Sequence, residues 1–290
     1  MKNLLILMIF LGTGMSYAQT FDDLLQNYIG NNKEKYLQPV ADLVTGSFNS
    51  GWNSPGKMDS SFYFRFGITT TAGFVTDNLK TFRATTEDPF LPMTTVDAAT
   101  IVGNNEPVVV DGENGTSYVF QGGTQLALFP MVMPQINVGG LYGSELGLRF
   151  FAWDFGGDFG KLQLLGLSAK HDVGRYFKLG KWYWNAMYAF QNIQGGKYFD
   201  ITTHLVGMEA GRTIGPWYWY GTLGYQFGKM DAVYKEDPDQ GEREVSVSLN
   251  NSFPVYAGLG GGVRVGVLRV NLALNYAKAP FGELGIGIQF

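Results

Sequence analysis

The sequence predicts an all-β protein: a transmembrane antiparallel β-barrel, closed on itself, with a short helical N-terminal hatch. Three observations carry this. Apolar and polar residues alternate with period two in repeated segments of about ten residues, the length a tilted strand needs to cross a bilayer. The composition is poor in charge (16%) and rich in aromatics (15%), with 40 Gly in 290 residues, whereas an average domain carries roughly 25% charge and about 7% Gly. Beyond residue 18 no apolar run reaches the roughly 18 residues a helical span needs. A closed barrel is then the remaining way to cross lipid with every backbone group paired. A secreted β-sandwich shows the same alternation and is the competing fold. Trp and Tyr at the strand ends ("KWYWN", 181–185; "PWYWYG", 216–221) and a wet face of Gly, Arg, Glu and Asn favour the barrel.

The elements follow in chain order. "MKNLLILMIFLGTGMSYAQ" has basic Lys2, an apolar run from Leu4 to Leu11 and the small-x-small ending Ser16-Tyr17-Ala18. It reads as a secretory signal peptide cleaved near Ala18, which directs the chain to export. With no Cys, the exported chain relies on no disulfide. Net charge is −4, or −5 once Lys2 leaves; there is no basic footprint, and nucleic acid is not an expected partner.

Residues 19–59 read as the hatch. Phe21, Leu24, Leu25, Tyr28 and Ile29 form one helical stripe, and Thr20 with Asp23 resembles a capping box. "KEKYLQPVADLVTG" (33–46) repeats a helical spacing, with Pro39 as a start or kink and Gly46 as a stop. The segment is too short for a domain of its own, so it plugs the lumen or packs below it.

Residues 60–290 read as the barrel. Strands are expected near 60–75, 129–139, 143–153, 160–171, 181–192, 199–212, 216–230, 253–266, 267–278 and 283–290, an even set of ten as a single-chain barrel requires. The segment 76–128 could hide another hairpin at "ATIVGNNEPVVV" (99–110), giving twelve strands within an outer range of ten to fourteen. The alternation breaks near Leu164–Leu165, which suggests a bulge. The ending "ELGIGIQF" puts Leu284, Ile286, Ile288 and Phe290 on one face. Phe290 is read as the terminal signal recognised by the barrel assembly machinery. With that terminus periplasmic, the aromatic clusters at 182–184 and 217–220 fall at one interface.

On the lumen face the candidate site residues are Arg65, Glu145, Arg149, Glu209, Arg264, Arg269 and Asn271. Three readings are open: inward ion pairs that brace the wall; anchors for the hatch, with Asp22, Asp23, Glu34 and Asp42 pairing with Arg264 and Arg269; or a charged ligand site. Gly258, Gly260 and Gly262 share the inner face and leave room for close approach, or bend the wall. "GLGGGVRVG" (258–266) lacks the Lys-Ser/Thr ending and following helix of a phosphate loop, so no cofactor is called for. The two His stand apart: His171 ends a strand beside Lys170 and Asp172, and His204 shares the lipid face of Val206 and Met208. Neither has metal-ligand spacing, so neither a metal site nor an enzyme is expected. "YKEDPDQGERE" (234–244) is a solvated acidic turn in which Asp237 and Asp239 give only a partial calcium spacing.

Three stretches carry a resemblance: "YLQPVADLVTGSFNSGW" (36–52), "VMPQINVGGLYGSELGLRFF" (132–151) and "LLGLSAKHDVGRYF" (164–177). They resemble an uncharacterised family of Bacteroidota outer-membrane proteins and, more distantly, the long-chain fatty-acid transporter type of barrel. That resemblance implies an N-terminal hatch in the lumen and hydrophobic substrates that leave sideways through the wall. Residues 19–59 match the hatch in placement and rough length; the ten to twelve strands fall short of the transporter's fourteen. The expected function is to bind or move small hydrophobic molecules across a Gram-negative outer membrane, with outer-membrane lipid, the assembly machinery and a small hydrophobic ligand as partners. The alternatives are a scaffold or adhesion barrel displaying 76–128, and an outer-membrane hydrolase.

Overall fold

The computed structural model describes residues 30–53, 56–154, 160–177, 181–196, 198–236 and 243–290. Helix α1 (Gly30–Asn49) comes first. Strand β1 (Tyr63–Phe74) then opens the wall. The segment that follows holds the one-turn helix α2 (Asp77–Lys80) and strands β2 (Thr81–Thr85), β3 (Thr95–Ala99), β4 (Val108–Asp111) and β5 (Ser117–Phe120). The wall continues with β6 (Leu128–Leu141), β7 (Ser144–Asp154), β8 (Lys161–Asp172), β9 (Trp182–Gly195), β10 (Phe199–Ile214) and β11 (Trp217–Glu236). It ends with β12 (Arg243–Asn250), β13 (Val255–Val265), β14 (Leu268–Ala277) and β15 (Ala279–Gln289).

Ten strands form the closed wall in the order β1, β6, β7, β8, β9, β10, β11, β13, β14, β15 and back to β1, every pair antiparallel. These are the ten strands expected from the alternation. The 20-residue β11 pairs with β10 along one edge and takes two partners along the other: its lower half pairs with β13 and its upper part with β12. The candidate hairpin at 99–110 adds nothing to the wall. Instead β2 pairs with β3 and β4 with β5 as two separate hairpins, so the barrel has ten strands, not twelve.

One rim carries tight turns, at Tyr142–Gly143, Gly215–Pro216 and Gly266–Val267, each with a glycine at positive φ. The opposite rim carries the 75–127 segment. We call these the short-turn and long-loop rims. Trp182, Trp184, Trp217 and Trp219 stand exposed at the strand starts of the short-turn rim, while Tyr183, Tyr218 and Tyr220 between them face inward and are buried. Phe64, Phe66, Leu148, Phe150, Leu272 and Leu274 are exposed on the outside, an apolar belt of the kind lipid requires.

No bulge interrupts β8. Its register is continuous with both neighbours, with Leu164 inward and 4% exposed and Leu165 outward and 43% exposed. The alternation vanished from the sequence there because the upper lumen is itself apolar, so both faces take Leu. The bulge lies between Gly139 and Leu141 in β6. There Gly140 has φ +93, and a Cβ would strike the Ser61 carbonyl.

The helix also differs from expectation. Pro39 and Gly46 both lie inside one continuous helix. Gly46 is a packing notch, not a stop: a Cβ there would collide with the Phe281 ring of β15. The stripe Phe21, Leu24, Leu25, Tyr28 and Ile29, and the acids Asp22 and Asp23, lie outside the described residues, as do Asp237 and Asp239.

Candidate functional site

The lumen divides into an apolar long-loop half and a polar short-turn half, and α1 with the chain after it runs through both. In the upper half Tyr36, Leu37, Leu43, Val44 and Phe48 of α1 are buried against Phe129, Met131 and Met133 of β6, Leu164 of β8, Met187 of β9 and Phe281 of β15. These wall residues come from widely separated strands, so the helix is enclosed. Each apolar side chain of this size contributes roughly 1.5–3 kcal/mol on burial.

In the lower half Arg149 of β7 takes the C-terminal end of α1. It is 0% exposed. Its Nη1 donates to the Phe48 carbonyl (3.0 Å) and its Nη2 to the Ser50 carbonyl (2.9 Å). Gln135 and Gln191 accept from the same guanidinium at 2.9 and 3.2 Å, and its plane lies 3.8 Å from the Trp52 ring centroid. Gln191 also donates to the Phe48 carbonyl. A cation at the last carbonyls of a helix is favoured by the helix dipole as well as by the bonds. Across the lumen Glu283 of β15 accepts from the Gly51 N–H (2.9 Å), Asn275 (2.9 Å) and Asn271 (2.8 Å).

Glu145 forms a second buried centre. It pairs with Arg65 (2.9 Å) and Lys170 (2.6 Å), and accepts from Tyr63 (2.6 Å) and Asn137 (3.1 Å). Glu209 is buried beside Asn185, whose Nδ2 donates to it at 2.9 Å. Between the Glu145 and Glu283 centres lies a polar cavity of about 50 Å³, lined by Asn53, Arg65, Gln135, Asn137, Arg269 and Asn271 and by the bare backbone of Gly67, Gly285 and Gly287.

The expected residues lie on the lumen face, and of the expected acid partners Glu34 and Asp42 do not pair with Arg264 or Arg269. Arg264 bonds Asp59 (3.2 Å) and the Lys57 carbonyl (3.0 Å), below the helix. Arg269 donates to the turn carbonyls of Gly266 (2.6 Å) and Leu268 (3.0 Å). Asp42 accepts from the Ser252 hydroxyl (2.8 Å) instead of an arginine, and Glu34 is exposed. At its C-terminal end the helix is held through backbone carbonyls, and the chain just after it through the Gly51 N–H, groups that carry no mark in the side-chain sequence. That is why charge matching in the sequence pointed to the wrong arginines. Lys170, Gln135, Gln191 and Glu283 were not singled out, since strand parity shows only that they face inward; Trp52 lies outside the strands and carried no such signal.

Gly258, Gly260 and Gly262 do not receive the helix. Their missing Cβ atoms make room for Asn275, Tyr220 and Tyr218 from neighbouring strands. Gly139 and Gly211 receive Tyr63 and Tyr183 in the same way. The inward tyrosines thus lie over adjacent glycines and thicken the wall near the short-turn rim.

The two His are in different places. His171 Nδ1 meets the Ser144 hydroxyl and its Nε2 the Tyr176 hydroxyl, both at 2.9 Å, at the short-turn rim. His204 lies on the outer face of β10, 2.8 Å from the Tyr188 hydroxyl and stacked on Phe227. Phe290 closes the last ladder: its N–H donates to the Phe64 carbonyl (2.9 Å) and its carbonyl accepts from Phe64 (3.0 Å), with the ring 67% exposed.

Among the described residues, one ladder of the wall ends early and leaves a seam. The β6–β7 ladder runs from Leu141↔Ser144 only to Gln135↔Arg149, while β6 pairs with β1 up to Leu128 and β7 pairs with β8 up to Asp154. The direction of each N–H follows from the register. Phe64 exchanges both bonds with Phe290 of the β15 side, so even-numbered residues of β1 point to β15 and odd ones to β6. Odd-numbered β6 residues are their partners, so the even ones, including Pro130 and Pro134, turn toward β7. Proline has no N–H to give. The ladder stops where those two donors are missing, beside the apolar lumen residues Phe129, Met131 and Met133.

The chain belongs to a family of unknown function, DUF6588, whose model matches residues 1–290. No curated protein matches the sequence. Among solved structures it is similar to Ail, the attachment invasion locus protein of Yersinia pestis (12% identity, 80% of this chain and 100% of that one, TM-score 0.28). It is also similar to the outer membrane protease OmpT from Escherichia coli (7% identity, 79% and 96%, TM-score 0.34). A third is the translocator domain of the autotransporter NalP from Neisseria meningitidis (10% identity, 79% and 88%, TM-score 0.30). Superpositions this loose carry no inference about activity.

Proposed function

We propose that the protein is a plugged barrel of the Gram-negative outer membrane that moves small hydrophobic molecules between its apolar upper lumen and the surrounding lipid through the β6–β7 seam. The observation that carries this reading is the coincidence of three features at one height. The ladder ends at Gln135↔Arg149, Pro130 and Pro134 remove two donors from the same edge above it, and the lumen side of that edge is apolar. A wall break that opened onto a polar lumen would leak ions; one that opens onto a dry core suits an apolar solute. The belt of exposed Phe and Leu supports the membrane setting, and the distant resemblance to the fatty-acid transporter type suggests the class of solute. The helix and Arg149 keep the polar half shut to ions. No catalytic step is part of the reading, since His171 and His204 face away from the lumen.

The test is uptake of a fluorescent hydrophobic dye by cells expressing Val132→Cys/Ala152→Cys. Extending the Gln135↔Arg149 register sets the pair opposite each other across the seam, and the chain has no cysteine of its own. A short thiol cross-linker should reduce uptake several-fold, and each single variant should be unaffected. Uptake unchanged by the completed cross-link would rule the seam out as the route. A second reading, a display barrel, draws on the filled lumen and the two hairpins of 75–127; it predicts no protein-dependent uptake in any variant.

A further inference from the structure

The path of the chain through the barrel has a definite sense. Read down β11 from its upper end, Gly228 lies against Thr45, Gln226 accepts from Asn49 (3.1 Å), Thr222 donates to Asn53 (3.0 Å), and Tyr218 lies against Gly56. Read down β15, Phe281 meets Gly46, Glu283 meets Gly51 and Gln289 meets Asp59 (2.6 Å). Two strands on the barrel wall thus report the same descent. At the top, Asn32 donates to the Thr85 carbonyl (2.7 Å) and Glu87 (3.0 Å), and Tyr36 bonds the Gly122 carbonyl (3.0 Å), all within the long-loop segment. At the bottom, the Lys57 N–H donates to Thr213 (3.0 Å) and its carbonyl accepts from Arg264, beside the tight turns. The helix's 20 residues rise about 30 Å at 1.5 Å each, close to the hydrocarbon thickness of a bilayer, roughly 30 Å.

We propose that the chain is threaded through its own barrel from outside to inside, so that the first turns of α1 are displayed at the cell surface within a collar made by the β2–β3 hairpin and the 100–122 segment. The sense follows from the tight turns facing the periplasm, the usual arrangement of such barrels. It uses the outer-membrane setting but not the transport reading. Gly30, the first described residue, lies at the outer mouth, so the N-terminal end of the helix crosses the membrane during assembly. A strap anchored at both mouths cannot be withdrawn toward the periplasm like a cork. Any opening therefore leaves the chain threaded through the barrel, and a ligand or partner arriving from outside meets the helix end and its collar first.

The test uses single cysteines in the full chain and a membrane-impermeant maleimide on intact cells. Glu34→Cys reports the exposed helix turn, Glu113→Cys the long-loop rim, and Tyr142→Cys, at a position 85% exposed, the short-turn rim. Glu34→Cys and Glu113→Cys should label to a similar extent, and Tyr142→Cys only after the outer membrane is permeabilised. Glu34→Cys behaving like Tyr142→Cys while Glu113→Cys labels would overturn the threading. Labelling of Tyr142→Cys alone would overturn the outward sense. Lys35→Cys, on the same exposed turn, replaces Glu34→Cys should that variant fail to assemble.

Discussion

Replacing Arg149 with Met removes the guanidinium while keeping most of the side-chain volume. The cost can be worked from its contacts. Two charge-assisted bonds go to the end of the helix, at the Phe48 and Ser50 carbonyls, and bonds to charged groups are worth roughly 1.5–3 kcal/mol each. The stack on Trp52 adds about 1–2 kcal/mol in a desolvated setting. Part of the sum is recovered because Met escapes the desolvation of a buried cation. A net weakening of helix docking of about 3 kcal/mol follows, or roughly a hundredfold in the docked-to-undocked ratio at about 1.4 kcal/mol per factor of ten. Single-channel recording in planar bilayers reads this directly. The wild-type protein should stay shut, and Arg149→Met should flicker open, with faster proteolysis between 48 and 59. An Arg149→Met barrel that assembles, stays shut and resists protease as well as the wild type would refute the assignment of Arg149 as the helix anchor.

Other outcomes follow from the same geometry. Gly46→Ala puts a methyl into the Phe281 ring and should weaken helix docking by about 1–3 kcal/mol, read as raised conductance with the barrel still heat-modifiable. Glu145→Gln leaves Arg65 and Lys170 buried without their carboxylate and should cost about 3–5 kcal/mol in denaturant unfolding from lipid. Leu272→Arg charges an outer position that is 61% exposed and should cost about 2–4 kcal/mol near mid-bilayer; no loss in lipid would mean that face is not lipid-facing. Deleting Phe290 removes the last two ladder bonds to Phe64 and should sharply reduce the assembled fraction, judged by heat-modifiable migration.

Much of the wall was legible because a barrel writes its two environments into alternate residues. Tyr183 and Trp184, or Leu272 and Asn271, sort to opposite faces from parity alone, and ten such segments give the strand count. Parity failed at Leu164–Leu165, where both sides of the wall are apolar. The lumen charges were also legible as inward, but their partners were not. Arg149 and Arg264 look equivalent in the sequence, yet one reaches α1 and the other Asp59, a choice set by height in the barrel. Asn271 was legible as a lumen residue, but its bonds to Glu283 and Tyr220 were not. Gly258, Gly260 and Gly262 were read as room for close approach or as a bend in the wall, because a glycine's neighbour across a strand pair is invisible without register. The prolines at 130 and 134 carried a signal that was readable, two same-edge donors missing from one strand; which edge they weaken required the partner strands.

The most direct test of the central claim, a barrel closed to ions by its own N-terminal helix, is conductance after removal of residues 30–53. The account predicts that this barrel assembles and conducts ions steadily, while the intact protein in the same bilayer does not. An assembled deletion form that conducts no more than the intact protein would contradict it.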